Sequence, residues 1–227
     1  MIINVGKKKL KKLVKRQINK NFLLEKKEKN LLESSNILDL ALSSTEFCFK
    51  EIDIKYFWKE KDLIFNVFNT DQYSMFLYFL SREVKNKTGF ENLADKIYYL
   101  NKMLNGLDLY HDVELPKIFL LGHPVGTVIG RATFGNFFTF QHGCTVGMNK
   151  GVYPVFGENV RMFANSSVLG NCHIGDNVFI SAGTTVKDEN VPSDTIVFGS
   201  SPNLVFKKKQ KEYFYSLNNF KRFKNEN

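Results

Sequence analysis

From Phe156 to Val186 an apolar side chain returns at every sixth position, through Met162, Val168, Ile174 and Ile180, and the same phase runs upstream through Val128, Phe134, Phe140 and Val146. Six residues match neither the roughly 3.6-residue turn of a helix nor the alternation of a strand, so the period describes a repeat architecture of its own. Small or β-branched residues stand two places before the periodic position, at Ala132, Cys144, Val160, Ser166, Cys172, Val178 and Thr184, and glycine follows it at 147, 157 and 175. Each unit reads as a short strand and a corner; three units close a triangular turn, and stacked turns bury the stripe. The repeat is expected from about His123 to Val186, with the irregular Val191-Pro192 and Gly199–Pro202 ending it. Between Val146 and Phe156 the step is ten residues, which puts an insertion of about four at Gly147–Tyr153. A stack tolerates added residues only at corners, where such loops overhang binding edges.

Charge is distributed unevenly. Residues 1–30 hold eleven Lys/Arg against two Glu and residues 207–227 hold seven against two, which leaves 14 basic against 19 acidic groups for the part between. A duplex-binding module wants its basic face on the folded body, so the placement of the +9 net charge at the two ends argues against one. The cysteines Cys48, Cys144 and Cys172 make no paired framework, and two of them occupy the small inward position of the repeat, where cysteine is a compact hydrophobe. No apolar stretch follows the basic start and none approaches a membrane span, so a cytoplasmic protein is expected.

The chain divides into a basic arm at 1–30, a helical domain at 31–106, the repeat domain at 107–206 and a basic aromatic tail at 207–227. In the arm, Leu10, Leu13, Val14 and Ile18 share a helical side; a solvated arm is the simpler expectation, and contact with the inner face of an anionic membrane the alternative. Ser43 with Glu46 has the spacing of a capping box, Asp71 is placed to cap a helix through Ser81, Gly89 ends that helix, and a second from about Asn92 to Asn105 stops at Gly106. The aromatic density of the helical region reads as core or subunit contact, and that of the tail as packing on the same or a neighbouring subunit, base stacking being the less frequent use.

Of four histidines, His123 has the most specific surroundings: Asp108 lies fifteen residues before it and Val-Gly-Thr-Val-Ile-Gly130 follows Pro124. With Tyr73-Ser74 ahead of an apolar helix, Cys144-Thr-Val-Gly147 before the corner loop, Val168-Leu-Gly170 and Val191-Pro192, this stretch resembles the serine acetyltransferases over roughly residues 70–206. The resemblance implies an α+β protein in which a helical N-terminal region precedes a left-handed parallel β-helix. It further implies a homotrimer or dimer of trimers, with acetyl-CoA as co-substrate. His123 would be the general base for an acceptor hydroxyl and Asp108 the carboxylate that orients it; Asp112 and Glu114 are nearby substitutes. Ala164 and Ala182, eighteen residues apart, fall on one corner of adjacent turns, where backbone amides would be open to pantetheine. Gly199 and Ser200 would continue that slot, and Lys207 or Lys208 would meet the CoA phosphates.

The chain departs from the family at two positions. Gly122 replaces an Asp before the base and Tyr153 replaces a second His after the insertion; both family residues hold serine. Their loss turns the expected acceptor slightly toward a sugar hydroxyl of a surface glycan, with L-serine close behind. No role is assigned to His111 in the linker, His142 near the insertion or His173 on the outside. Their intervals do not suit the three-imidazole zinc site of related solenoids, so no metal is expected. A non-catalytic scaffold and a nucleic-acid-binding protein using its basic ends are the competing readings.

Overall fold

The structure, a computed structural model, describes residues 1–33 and 36–224. Two compact units emerge, one of residues 1–50 and 54–112, the other of residues 51–53 and 113–227. The last three residues of the expected tail lie outside the described ones.

The first unit runs β1 (Ile2–Ile3), α1 (Lys7–Asn21), α2 (Lys26–Glu33), α3 (Asn36–Lys50), β2 (Trp58–Lys59), β3 (Asp62–Phe65), α4 (Thr70–Thr88), α5 (Glu91–Asn105) and β4 (Leu107–Leu109). The solvated arm expected for residues 1–30 is corrected: α1 is a folded helix whose Leu10, Val14 and Ile18 are fully buried. Three residues at i, i+4, i+8 suffice to lay it along its unit while its lysines stay in water. The apolar face a membrane-lying helix would need is thereby spent on the protein's own core. Ser43 and Glu46 do not cap a helix, because α3 begins at Asn36; Ser43 Oγ donates to the Asp39 carbonyl in mid-helix at 3.0 Å. The cap of α4 is Asn69, whose side chain accepts from the Gln72 amide at 3.0 Å, while Asp71 occupies the first turn, where a carboxylate meets the helix dipole. Gly89 and Gly106 end α4 and α5 in the left-handed region, as expected. Phe49, Phe57, Phe65 and Phe76 form an edge-to-face and tilted cluster with centroids 4.9 to 5.9 Å apart, which bears out the aromatic core.

The second unit is a parallel β-solenoid followed by a hairpin and a helical tail, and the β-helix is left-handed. Its strands are β5 (Phe119–Gly122), β6 (Thr127–Ile129), β7 (Thr133–Phe134), β8 (Phe138–Gln141), β9 (Thr145–Gly147), β10 (Val155–Phe156), β11 (Arg161–Met162), β12 (Ser167–Leu169), β13 (His173–Ile174), β14 (Val178–Ile180), β15 (Thr185–Lys187), β16 (Thr195–Ser200) and β17 (Asn203–Lys208), followed by α6 (Lys211–Ser216) and α7 (Lys221–Lys224). One face stacks β5, β8, β11, β14 and β16; a second stacks β7, β10 and β13; the third stacks β6, β9, β12 and β15. Phe140 pairs with Met162, 22 residues on, and Met162 with Ile180, 18 on, so one turn holds the four extra residues at the predicted corner. They form a tight reversal in which Asn149 and Val152 exchange backbone hydrogen bonds across Lys150 and Gly151, both at positive φ. Asn149 Nδ2 ties the loop to Asp188.

The periodic side chains from Phe140 to Val186 are buried, and Phe134 stacks on Phe156 at 5.2 Å. Val128 is the exception: it is exposed, and Ile129 takes the inward place opposite Val146. Corner residues in the left-handed region are repeatedly Asn or Asp, the side chains that tolerate it. Three of them form a ladder, Asn159 Nδ2 to Asn177 Oδ1 at 2.9 Å and Asn177 Nδ2 to Asp194 Oδ1 at 2.9 Å, and Asn218 of the tail donates to Asn159 at its start. The stack also continues past the expected end, since β16 pairs in parallel with β14 and β15 before β17 turns back antiparallel along β16. The tail then lies on its own unit: Phe214 packs edge-on to Phe179 at 4.9 Å and Phe220 and Phe223 edge-on to Phe137. Buried rings of this kind present no face for a nucleic-acid base. Among the described residues no helix is long and apolar enough to cross a membrane.

Candidate active site

The corner that follows the β5 face carries most of the residues singled out in the sequence. Gly122 pairs with Gln141, and the Gly143 amide donates to the Val125 carbonyl at 3.1 Å. His123, Pro124 and Val125 therefore span, on the first turn, the corner that His142 alone spans on the next. His123 is exposed and sits at φ 55, a strained setting for a residue with a Cβ, and the Thr127 amide closes the bulge on the Pro124 carbonyl at 3.1 Å. One turn further on, the Asn165 amide donates to the His142 carbonyl at 2.9 Å, and the Gly183 amide to the Ala164 carbonyl at 3.0 Å. With Met162 opposite Phe140 and Ile180, and Ile180 opposite Val197, the corner reads His123, His142, Ala164, Ala182, Gly199 on successive turns. Parallel strands lie about 4.8 Å apart, so this column is roughly 20 Å long.

The backbone of Ala164 differs from expectation. Its amide is engaged by Gln141 Oε1 at 3.0 Å and its carbonyl by Gly183, so the Gln141 side chain must leave before a ligand takes that amide. Ala182 is exposed, as are Gly199 and Ser200, and Gly199 has φ 89. Ser200 pairs with Thr185 and, across the hairpin, with Asn203. Lys207 is not brought to the corner: it faces Ile196, three strand positions, about 10 Å, before Gly199. Lys208 is one position farther back, and with Lys209, Lys211, Asp194 and Glu212 it borders a polar hollow at that end.

Asp108 lies at the centre of β4 in the first unit, half-buried, where it accepts from Tyr98 Oη and Lys102 Nζ, each at 2.6 Å. Burial raises its pKa, but the hydrogen bonds of Lys102 and Tyr98 outweigh that and hold it below the usual carboxylate value. The group is thus ionised at neutral pH. In the same unit His111 is no linker residue: its ring is buried, Nε2 at 3.0 Å from Asp95 and Nδ1 at 3.2 Å from Asp112. Sequence reasoning missed it because one of its two partners, Asp95, comes from α5. Gln141 and the alignment of His142 were missed too, since both depend on corner lengths. His173 is exposed, as expected. Among the described residues no three His, Cys, Asp or Glu side chains are grouped to hold a metal.

Such a stack defines a hexapeptide-repeat solenoid, and the bacterial transferase hexapeptide (six repeats) family matches residues 153–188. Over about half of its length the chain is similar to serine acetyltransferases. It is 34% identical over 117 residues to a serine acetyltransferase of Staphylococcus epidermidis, covering 49% of this chain and 54% of the relative. To that of Synechococcus elongatus it is 32% identical over 114 residues, 48% of this chain and 46% of the relative. The chain spans about half the length of these curated relatives. In fold it is similar to the serine acetyltransferase of Neisseria gonorrhoeae, with TM-score 0.63 at 22% identity over 81% of this chain and 72% of that one. The serine acetyltransferase of Brucella abortus in complex with coenzyme A gives TM-score 0.60 at 17% identity over 88% and 83%.

Proposed function

We propose that the protein is an acetyl-CoA-dependent O-acetyltransferase that moves an acetyl group to a small hydroxyl acceptor. The observation that carries this reading is the corner column, with an exposed, bulged imidazole at its head and small residues, Ala164, Ala182 and Gly199, along the turns below. A thioester arm needs a narrow, side-chain-poor track ending at a base, and this corner offers both. A hydroxyl is a poor nucleophile at neutral pH; His123 accepts its proton as the oxygen attacks the carbonyl carbon, then returns it to the departing CoA thiolate. Asp108 is proposed as the carboxylate partner of His123, steadying the imidazolium formed in between. Gly199 and Ser200 are proposed to hold the CoA end of the track, with Lys207 reserved for mobile phosphates at its margin.

The relatives, named for serine, favour L-serine as acceptor, which reverses the slight preference for a glycan hydroxyl drawn from Gly122 and Tyr153. The sugar acceptor stays as the second reading on those two residues, Tyr153 being exposed beside the corner loop. A cytoplasmic homotrimer is proposed with it, and the exposed Val125, Val128, Val152 and Val155 of the solenoid support contact with further copies. The test is thiol release from acetyl-CoA with L-serine against a panel of nucleotide sugars. His123→Ala is expected to lower turnover about 10²–10⁴-fold with CoA still bound; full activity in that variant removes His123 as the base, and no thiol release from the unaltered protein with any acceptor leaves a scaffold.

A further inference from the structure

We infer that His142 is a second catalytic side chain, a hydrogen-bond donor to the thioester carbonyl oxygen. The inference rests on the acetyltransferase reading and deepens it. The register places His142 on the corner directly after the His123-Pro124-Val125 bulge and directly before Ala164. The two turns from the bulge to Ala164 span about 10 Å. An acyl-CoA laid along the column with its acetyl end at His123 must keep its carbonyl inside that span, and the side chain standing on the corner there is His142. The ring is exposed, and its own backbone carbonyl is already spent on the Asn165 amide.

Packing does not ask for histidine at this level. The next two turns place Ala164 and Ala182 in the corresponding position, and the last one Gly199. An imidazole differs from these in one relevant way, since it offers an N–H donor in either protonation state. As the acceptor oxygen bonds to the carbonyl carbon, its proton passes to His123 and the carbonyl electron pair moves onto oxygen. That oxyanion is where a donor fixed in advance acts. Collapse re-forms the carbonyl, breaks the C–S bond and sends the proton from His123 to the thiolate, so no other reactant is needed.

The experiment compares His142→Ala and His142→Gln with wild type in thiol release from acetyl-CoA with L-serine, and in binding of CoA against a ketone analogue of acetyl-CoA in which methylene replaces sulfur. His142→Ala is expected to lose about 10²–10³-fold in kcat with KM for acetyl-CoA unchanged. It should also lose the preference for the ketone analogue over CoA. His142→Gln, which keeps an N–H donor, should regain much of both. Unchanged kcat and ketone preference in His142→Ala overturn the inference; so does an effect confined to the KM of the acceptor. His123→Ala run in parallel separates the two failures: if it too is fully active, the reading of His123 as the base falls first. Where no acceptor supports turnover, the ketone preference alone decides.

Discussion

Replacing Asn177 tests whether the corner ladder, and not the apolar stripe alone, holds the solenoid and its tail together. Asn177 is buried at φ 53, accepts from Asn159 and donates to Asp194, both at 2.9 Å. Asn177→Ala removes both bonds. Asp194 is only half-buried and can turn to water, but Asn159 is 3% exposed and its amide is left with an orphaned donor; that costs about 1–3 kcal/mol. A Cβ-bearing residue without a local polar group in the left-handed region costs about 1–2 kcal/mol more. The sum, about 2–5 kcal/mol, corresponds to a fall in Tm of roughly 5–15 °C for a chain of this size. Asn177→Gly keeps the conformation at little steric cost and forfeits only the bonds, so it should recover about 1 kcal/mol of the loss despite its extra chain entropy. Thermal unfolding followed by circular dichroism reads the difference, and hydrogen exchange in α6 and α7 reports whether the tail loosens with it. A shift below about 2 °C for the alanine variant, or a glycine variant no better than alanine, would refute the reasoning.

Gly135→Ala places a Cβ 2.4 Å from the backbone of Gly157, so it should destabilise the stack severely, whereas Gly151→Ala meets open space and pays only for its positive φ; soluble yield and Tm separate them. Phe214→Ala, at a fully buried ring against Phe179, should cost about 3–5 kcal/mol and raise dye binding as the tail lifts. Arg161 is largely buried, its pKa pushed down to about 10 by desolvation, and its Nη2 has no hydrogen-bond partner among the described residues; Arg161→Met should match or exceed wild-type stability in denaturant. Asp108 has its pKa lowered on folding, so its contribution to stability is present above the unfolded carboxylate pKa and is lost as pH falls through the folded value. The stability gap between wild type and Asp108→Asn should therefore hold from neutral pH to about pH 5 and close below pH 4.

The solenoid was legible because every turn solves the same packing problem, and the repetition survives in the order of residues. It failed at Val128 because the first turn is irregular: Leu121 and Phe140 lie 19 residues apart, while Ile129 and Val146 lie 17 apart, so the stripe slips by one at that corner. The arm misled because lysines outnumber the apolar residues of α1, yet Leu10, Val14 and Ile18 on one side are enough to bury it. Ser43 and Glu46 have a box's spacing, but spacing does not say where a helix begins. At the site, His123 and the alanines were found by interval, Ala164 to Ala182 being one regular turn. His142 was passed over since it stands 19 residues after His123, one out of step with an 18-residue turn, and only the bulged corner restores the alignment.

A ladder of parallel rungs has no natural last member, because each new strand displays the same unsatisfied amides and carbonyls that it received. Here β17 folds back antiparallel on β16, so the terminal rung on that face is answered from within the chain. The strand left outermost carries Lys207 and Lys208, and like charges there would repel an identical neighbour. The hairpin thus works as a stop codon written in backbone geometry: it fixes the number of turns and keeps one molecule from being continued by the next.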